Sequence, residues 1–176
     1  MATGSSRAAS ALTFDCYGTL IDWESGILAA VRPVLDAHGR ELDDTSVPFP
    51  DTVEALRALE TRYRLGVVSN VDDDLFATTA AGLEVPFDWV VTAQQVGAYK
   101  RSPRMFEAAI ERLALPREAI LHVAQSAYHD VAPARALGLA TVLVRRRGLG
   151  ATPASPAVPD LAVPDLASLV WALGLD

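Results

Sequence analysis

Polar side chains that could carry out chemistry stand directly after several of the apolar runs in this sequence. Asp15 follows the first run, Ser69 and Asn70 follow the second, and Gln125 and Ser126 follow a later one. A carboxylate with a reference pKa of about 4 is ionised at neutral pH, so it can act as a nucleophile without a base. The amide and hydroxyl groups complete the kind of polar cluster that a reactive site contains.

Lys100 and Asp130 add one charge of each sign to this set. Lys100 lies in the connection after the third apolar run, and Asp130 opens the helix after the fourth. Each residue also has an ordinary structural explanation: an aspartate at a strand end is often a turn or cap residue, and Lys100 can be a solvated loop lysine. Their joint position at strand ends favours one shared site over several unrelated turns.

The elements that must position these residues are those of a βαβ chain. Short runs rich in Val, Leu and Ile alternate with segments of helical periodicity, which is typical of a parallel sheet buried on both faces. In such a sheet ligands bind outside the carboxyl ends of the strands, where the polar residues fall. The predicted strands are 11–14, 65–68, 89–92, 120–124 and 141–144, and the predicted helices are 23–38, 51–63, 73–81, 103–113, 131–137 and 166–173.

Composition narrows the class of protein. The 176 residues are 51% hydrophobic and 21% charged, which indicates one compact globular domain. A formal net charge of −7 without a basic stripe makes nucleic acid an unsuitable partner and favours a small substrate. The single cysteine, Cys16, fits a reducing compartment, and no run approaches the roughly 20 apolar residues of a membrane span. We therefore expect a cytoplasmic protein that does not contact membranes.

Four segments resemble, in order and spacing, the motifs of the haloacid dehalogenase superfamily. They are FDCYGTL at 14–20, VVSN at 67–70, YK at 99–100 and HVAQSAYHDVAPARALG at 122–138. The resemblance implies an α/β fold of Rossmann-like three-layer α/β/α type with a mostly parallel five-stranded central sheet. We expect the core at 1–147, with a cap remnant inserted at 21–50, a Pro/Ala-rich surface connection at 148–164 and a C-terminal helix of the same domain at 165–176.

Two positions separate the branches of that superfamily. Tyr17 stands where its phosphatases carry a second aspartate, and Gln125 stands where they carry the first acid of the fourth motif. Mg²⁺ prefers several hard oxygen ligands, so the loss of a carboxylate weakens a magnesium site. The chain thus resembles the type II branch, which hydrolyses 2-haloalkanoic acids without metal or another cofactor. A phosphatase with a degraded metal site and an inactive homologue that acts as a binding or dimerisation module remain alternatives.

The resemblance also implies a role for each charged residue. Asp15 would displace halide from the substrate and form an ester, which water then cleaves. Thr19 would hold the carboxylate of Asp15, and Lys100 would neutralise the charge around it. Asp130 would orient Lys100 and help to position the water.

Five further residues are implied to contact the substrate. Ser69 and Asn70 would bind its carboxylate or the departing halide, and Tyr17 would line the pocket. Gln125 and Ser126 belong to the same predicted substrate-binding group.

The cap is where the sequence departs most from the type II pattern. Those enzymes insert a helical cap between the first two motifs, whereas this segment has room for about one helix and a loop. The helix predicted at 23–38 has an apolar seam, which either packs on the core or forms a homodimer interface. The cap arginine of the family has only positional candidates here, namely Arg32, Arg40 and Arg101.

Overall fold

The computed structural model describes residues 9–23, 47–146 and 153–175. Its strands are β1 (Ala11–Phe14), β2 (Ile21–Asp22), β3 (Val47–Pro48), β4 (Arg64–Ser69), β5 (Trp89–Thr92), β6 (Ile120–Ala124), β7 (Ala140–Val144) and β8 (Leu161–Val163). Six of these form one parallel sheet in the order β5-β4-β1-β6-β7-β8, while β2 and β3 make a separate antiparallel pair. The α/β class and the mostly parallel central sheet are confirmed.

Helices follow most of the strands. They are α1 (Thr52–Glu60), α2 (Asp73–Leu83), α3 (Ala93–Val96), α4 (Pro103–Leu113), α5 (Ala132–Ala136) and α6 (Leu166–Ala172), with a 3₁₀ turn at Arg117–Ala119 and a π-helix at Ala127–Val131. Within the ranges that the structure describes, every helix is too short or too polar to cross a bilayer. The predicted helix at 103–113 and the strands at 11–14, 89–92 and 120–124 match residue for residue.

The central position of β1 explains why the site residues meet. Its four residues are fully buried, and Phe14 pairs with Val67 of β4 on one side and Val123 of β6 on the other. The chain runs outward from β1 through β4 to β5, then returns to the other side for β6, β7 and β8. The crevice between β1 and β6 is therefore the switch point of the sheet, where open α/β folds bind ligands.

Two predicted boundaries are corrected by the structure. The sheet has six strands rather than five, because Leu161–Val163, inside the predicted connection at 148–164, pairs in parallel with β7. A three-residue strand between prolines leaves no clear alternation pattern, and an edge strand tolerates such flanks. The helix predicted at 131–137 is observed at Ala132–Ala136 and is preceded by the π-helix. Ser126 caps the start of the π-helix, where its hydroxyl accepts a hydrogen bond from the backbone N–H of His129.

The two ends of the segment predicted as a cap remnant lie next to each other. Ile21 pairs with Pro48, and the N–H of Phe49 donates to the carbonyl of Leu20 at 3.0 Å. The entry and exit strands therefore lie side by side. Residues 24–46 lie outside the described ranges, and so do nearly all of the helix predicted at 23–38, the homodimer interface expected there, Arg32 and Arg40. The homodimer stays a prediction.

Candidate active site

The loop after β1 presents Asp15 at the carboxyl edge of the sheet. Gly18 adopts a φ of +88°, a conformation that glycine reaches without steric cost, and turns the chain back toward the strand end. The Thr19 hydroxyl then donates to Oδ2 of Asp15 at 2.8 Å and accepts from the backbone N–H of Gln125 at 2.9 Å. Thr19 thus ties the predicted nucleophile to the loop after β6.

Lys100 is the only lysine in the chain, whose other basic residues are arginines. Its side chain is 1% exposed, and its Nζ lies 2.5 Å from Oδ1 of Asp15 and 2.7 Å from Oδ1 of Asp130. An ammonium is a compact charge with three donors, so it fits between two carboxylates where a planar guanidinium does not. The three predicted charged residues therefore form one buried cluster.

Asn70 fixes the backbone that carries this lysine. Its Oδ1 accepts from the N–H of Lys100 at 2.6 Å, and its Nδ2 donates to the carbonyl of Lys100 at 3.3 Å. Both ends of the amide are thus engaged by one residue of the loop after α3. Asn70 also lines the cavity, and its predicted contact with substrate stays a prediction.

Burial and charge set the protonation of the cluster. Burial raises the pKa of Asp15 above its ordinary value of 3.8, and the charge of Asp130 adds to that rise, while Lys100 and Thr19 oppose it. Burial also disfavours the charge of Asp130, yet Lys100 and His122 together hold the pKa of Asp130 below 3.8. The two carboxylates overcome the burial of Lys100 and raise its pKa above 10.5. At neutral pH the cluster therefore contains a firm Lys100–Asp130 ion pair, and Asp15 holds its charge least firmly.

This order of ionisation predicts where activity falls in acid. If ionised Asp15 is the reactive form, then kcat/KM rises with pH through the pKa of Asp15 in the free enzyme. We expect the midpoint of that acid limb above 3.8, because the pKa is raised. Initial rates across an acid-to-neutral pH series measure it. A limb centred below 3.8 contradicts the assignment.

A cavity of about 370 Å³ opens over this cluster. Of the nine predicted site residues, Thr19 lies just beneath its surface and the others line it, namely Asp15, Tyr17, Ser69, Asn70, Lys100, Gln125, Ser126 and Asp130. The structure therefore brings the whole predicted set to one place. The hydroxyl of Tyr17 lies 2.6 Å from Thr79 Oγ1 of α2, and the hydroxyl of Ser126 accepts from the N–H of His129.

Arg146 lines the same cavity and was not among the predicted residues. Its Nε donates to the carbonyl of Thr19 at 3.1 Å, and its Nη1 donates to Oδ1 of Asp51 at 2.7 Å. The guanidinium lies 4.2 Å from the ring centroid of Phe49. Arg146 follows β7 within a run of three arginines, a pattern that is typical of a solvent-exposed segment. Arg101, a candidate for the cap arginine, instead donates to the hydroxyl of Tyr128 at 2.6 Å.

Metal ligation has little support among the described residues. In those ranges no three His, Cys, Asp or Glu side chains are grouped closely enough to hold an ion. Oδ1 of Asp130 is already bonded to Lys100 and His122. Tyr17 and Gln125 occupy the two positions where the sequence motifs of phosphatases would place carboxylates.

Comparison with known proteins identifies the family. The model of the haloacid dehalogenase-like hydrolases matches residues 33–138. Haloacetate dehalogenase H-2 from Moraxella sp. (strain B) is 31% identical over 170 residues, which cover 92% of this chain and 69% of that protein. The chain belongs to the haloacid dehalogenase-like hydrolases. The (S)-2-haloacid dehalogenase of Pseudomonas sp. (strain YL) is 33% identical over 152 residues.

The curated relatives named here differ in activity, and this chain spans only part of their length. A glyceraldehyde 3-phosphate phosphatase from Methanothermobacter thermautotrophicus (strain ATCC 29096 / DSM 1053 / JCM 10044 / NBRC 100330 / Delta H) is 34% identical over 100 residues, 55% of this chain and 44% of that protein. The chain spans 69%, 60% and 61% of three of its dehalogenase-like relatives. A crystal structure of an L-2-haloacid dehalogenase superposes with a TM-score of 0.80 at 24% identity, covering 96% of this chain and 100% of that one, which shows the shared fold.

Proposed function

We propose that this haloacid dehalogenase-like hydrolase removes halide from a small 2-haloalkanoic acid through an ester on Asp15. The observation that carries the proposal is the cavity-lining carboxylate of Asp15, held by Thr19 on one oxygen and by Lys100 on the other. Similarity to haloacetate and 2-haloacid dehalogenases supports the choice of substrate class. The lone free thiol of Cys16 supports a reducing, cytoplasmic location for this enzyme.

The reaction would proceed in two displacements. An oxygen of Asp15 attacks the carbon that bears the halogen, and the carbon–halogen bond breaks with its electron pair going to halide. Water then attacks the carbonyl carbon of the new ester and releases the 2-hydroxy acid, which restores Asp15. Halide leaves without a proton, so the first step needs no general acid.

Position 17 favours halide over phosphate as the leaving group. When an alkyl phosphate is hydrolysed, the leaving alkoxide needs a proton donor. A phenol with a pKa near 10 is a poor donor at neutral pH. The Tyr17 hydroxyl also lies 2.6 Å from Thr79 Oγ1. Because one of the relatives is a phosphatase, phosphate release is the competing outcome of the test.

The test is a substrate panel followed by two readouts. The protein is incubated with chloroacetate, 2-chloropropionate and longer 2-haloacids while halide is measured, and with p-nitrophenyl phosphate with and without Mg²⁺ while phosphate is measured. We expect halide release from at least one haloacid and no release of phosphate from p-nitrophenyl phosphate. Mg²⁺-dependent phosphate release without halide release would overturn the proposal, and silence in both arms favours the binding-module alternative.

Among the described residues, Arg146 is the cavity-lining cation best placed to attract an anionic substrate. The side chain of Lys100 already lies between two carboxylates, whereas Arg146 forms one ion pair among the described residues, with Asp51, and uses three of its five N–H donors on Thr19, Asp51 and Thr52. Thr19 links the two groups: its carbonyl accepts from Arg146, and its hydroxyl donates to Asp15. We therefore assign Arg146 to the carboxylate of the substrate.

Arg146→Met is expected to raise KM for 2-chloropropionate by about 10- to 150-fold, the range given by a hydrogen bond to a charged group of about 1.5–3 kcal/mol. The neutral 2-chloropropionamide has no carboxylate, and we expect the enzyme to turn it over more slowly than the acid. Its rate should therefore differ little between Arg146→Met and the wild type. Steady-state kinetics on both substrates measure the difference. Arg145→Met, an exposed neighbour, is the matched control. An equal loss on acid and amide would show that Arg146 only stabilises the loop.

A further inference from the structure

A histidine lies fully buried in the middle of β6 and contacts the reactive cluster from behind. His122 Nε2 is 3.0 Å from Oδ1 of Asp130, and its Nδ1 is 2.8 Å from the hydroxyl of Thr13. Thr13 and His122 are register partners on the neighbouring strands β1 and β6. Phe106 packs edge-to-face on the imidazole with ring centroids 5.0 Å apart. Neither displacement step involves His122 directly.

The partners of the imidazole determine which nitrogen carries the proton. Asp130 is held ionised by Lys100, and an ionised carboxylate only accepts hydrogen bonds, so Nε2 must donate. The Thr13 hydroxyl can donate to Nδ1, which satisfies both ring nitrogens of a neutral histidine. A neutral Nε2–H imidazole therefore fits this site without adding a buried charge.

The bond from His122 determines how Asp130 faces the cavity. Oδ1 of Asp130 accepts from both Lys100 and His122, so two donors on different elements fix one oxygen. Oδ2 has no hydrogen-bond partner among the described residues, and Asp130 lines the cavity. The side chain of Asp130 is 2% exposed, so its orientation is set by these contacts rather than by solvent.

We propose that His122 is a positioning residue for the hydrolytic step: it holds Oδ1 of Asp130 so that Oδ2 can take the proton of the attacking water. The inference rests on the proposed function. Water oxygen bonds to the carbonyl carbon of the Asp15 ester as one proton passes to Oδ2 of Asp130. The bond between that carbon and the ester oxygen then breaks, the leaving alkoxide takes the proton back from Asp130, and Asp15 is left as a carboxylic acid that ionises.

Two amide substitutions separate this role from simple core packing. In His122→Gln the side-chain amide reaches about as far as Nε2 and can still donate to Asp130. In His122→Asn it reaches only about as far as Nδ1, so it keeps Thr13 and loses Asp130. We expect His122→Asn to slow hydrolysis of the ester about tenfold or more while the first burst of halide stays near the wild-type rate, and His122→Gln to recover most of the turnover.

The ester itself provides the readout. After rapid mixing with chloroacetate and an acid quench, intact-protein mass spectrometry should show His122→Asn carrying one carboxymethyl group, mapped to Asp15, while the wild type and His122→Gln carry little. Thermal unfolding of both variants measures their folding separately. If burst and turnover fall together, without accumulated ester and equally in both variants, His122 is only a core residue and the inference is wrong.

The failure of the proposed function looks different. A wild-type protein that releases no halide from any haloacid defeats the proposed function before the variants are compared. In that case ¹⁵N NMR of the imidazole still tests the geometry, since the bond to ionised Asp130 requires a proton on Nε2. A ring protonated on Nδ1 only would overturn the assignment of His122 independently of activity.

Discussion

Asp15→Asn is expected to reduce halide release by roughly 10⁴-fold or more, because a neutral amide cannot form the ester and loss of a nucleophile commonly has effects of this size. Halide measured over long incubations with high enzyme concentration gives the residual rate. Asp22→Asn is the matched control, since Asp22 is another carboxylate that lines the cavity. We expect that control to keep releasing halide. Equal loss in both variants would remove the special role of Asp15.

The same substitution should not destabilise the protein. The pKa of Asp15 is raised in the folded state, so its ionised form opposes folding once the pH exceeds its ordinary value of 3.8. Replacing it with a neutral amide removes that opposition at neutral pH and changes little in strong acid. We therefore expect a higher Tm for Asp15→Asn than for wild type at neutral pH, with the difference shrinking as the pH falls. A lower Tm at neutral pH would contradict the electrostatic account.

Lys100→Met carries the largest expected loss of stability. It leaves the carboxylates of Asp15 and Asp130, which are 13% and 2% exposed, without the cation that both bind. Breaking a buried ion pair by removing one partner lowers the free energy of unfolding by about 3–5 kcal/mol. Urea unfolding at neutral pH measures this change. Arg57→Met removes one side of an exposed ion pair with Glu84 and is expected to change stability by no more than about 1 kcal/mol.

The pH dependence of the stability of Lys100→Met gives a second test of the same electrostatic effect. In the wild type the pKa of Lys100 is raised by its partners, so its stabilising contribution is fully present below 10.5. Without Lys100, the buried carboxylates bind protons more readily when folded than when unfolded. The variant should therefore be closest to wild type in acid and fall behind as the pH rises. A deficit that is the same at acid and neutral pH would show a packing defect instead of a charge defect.

Much of the framework could be predicted because buried parallel strands are nearly continuous apolar runs. The strands at 11–14 and 120–124 were bounded correctly for that reason, and the carboxyl-end rule then brought Asp15 and Asp130 together. The β8 strand at Leu161–Val163 was missed because three residues between prolines carry no period. Its place was decided by pairing with β7, which is a tertiary contact.

The missed site residues have equally physical reasons. His122 lies inside an apolar run, where a histidine reads as a core residue, and only the contact with Asp130 distinguishes it. Arg146 follows β7, so the rule that found Asp15 also pointed to it, but the surrounding arginines suggested a solvated stretch. Asp51 stands at the N-cap position of α1, yet its side chain makes no cap bond and instead accepts from Arg146 and the N–H of Leu166.

The central claim, an ester on Asp15, is tested most directly by following the oxygen. With enzyme in excess over 2-chloropropionate in water labelled with oxygen-18, the account predicts an unlabelled 2-hydroxy acid in the first turnover. The label should appear in Asp15, as shown by mass spectrometry of the peptide that contains it, because water attacks the carbonyl carbon of the ester. Labelled hydroxy acid together with unlabelled Asp15 would mean that water displaces the halide directly, and it would contradict the account.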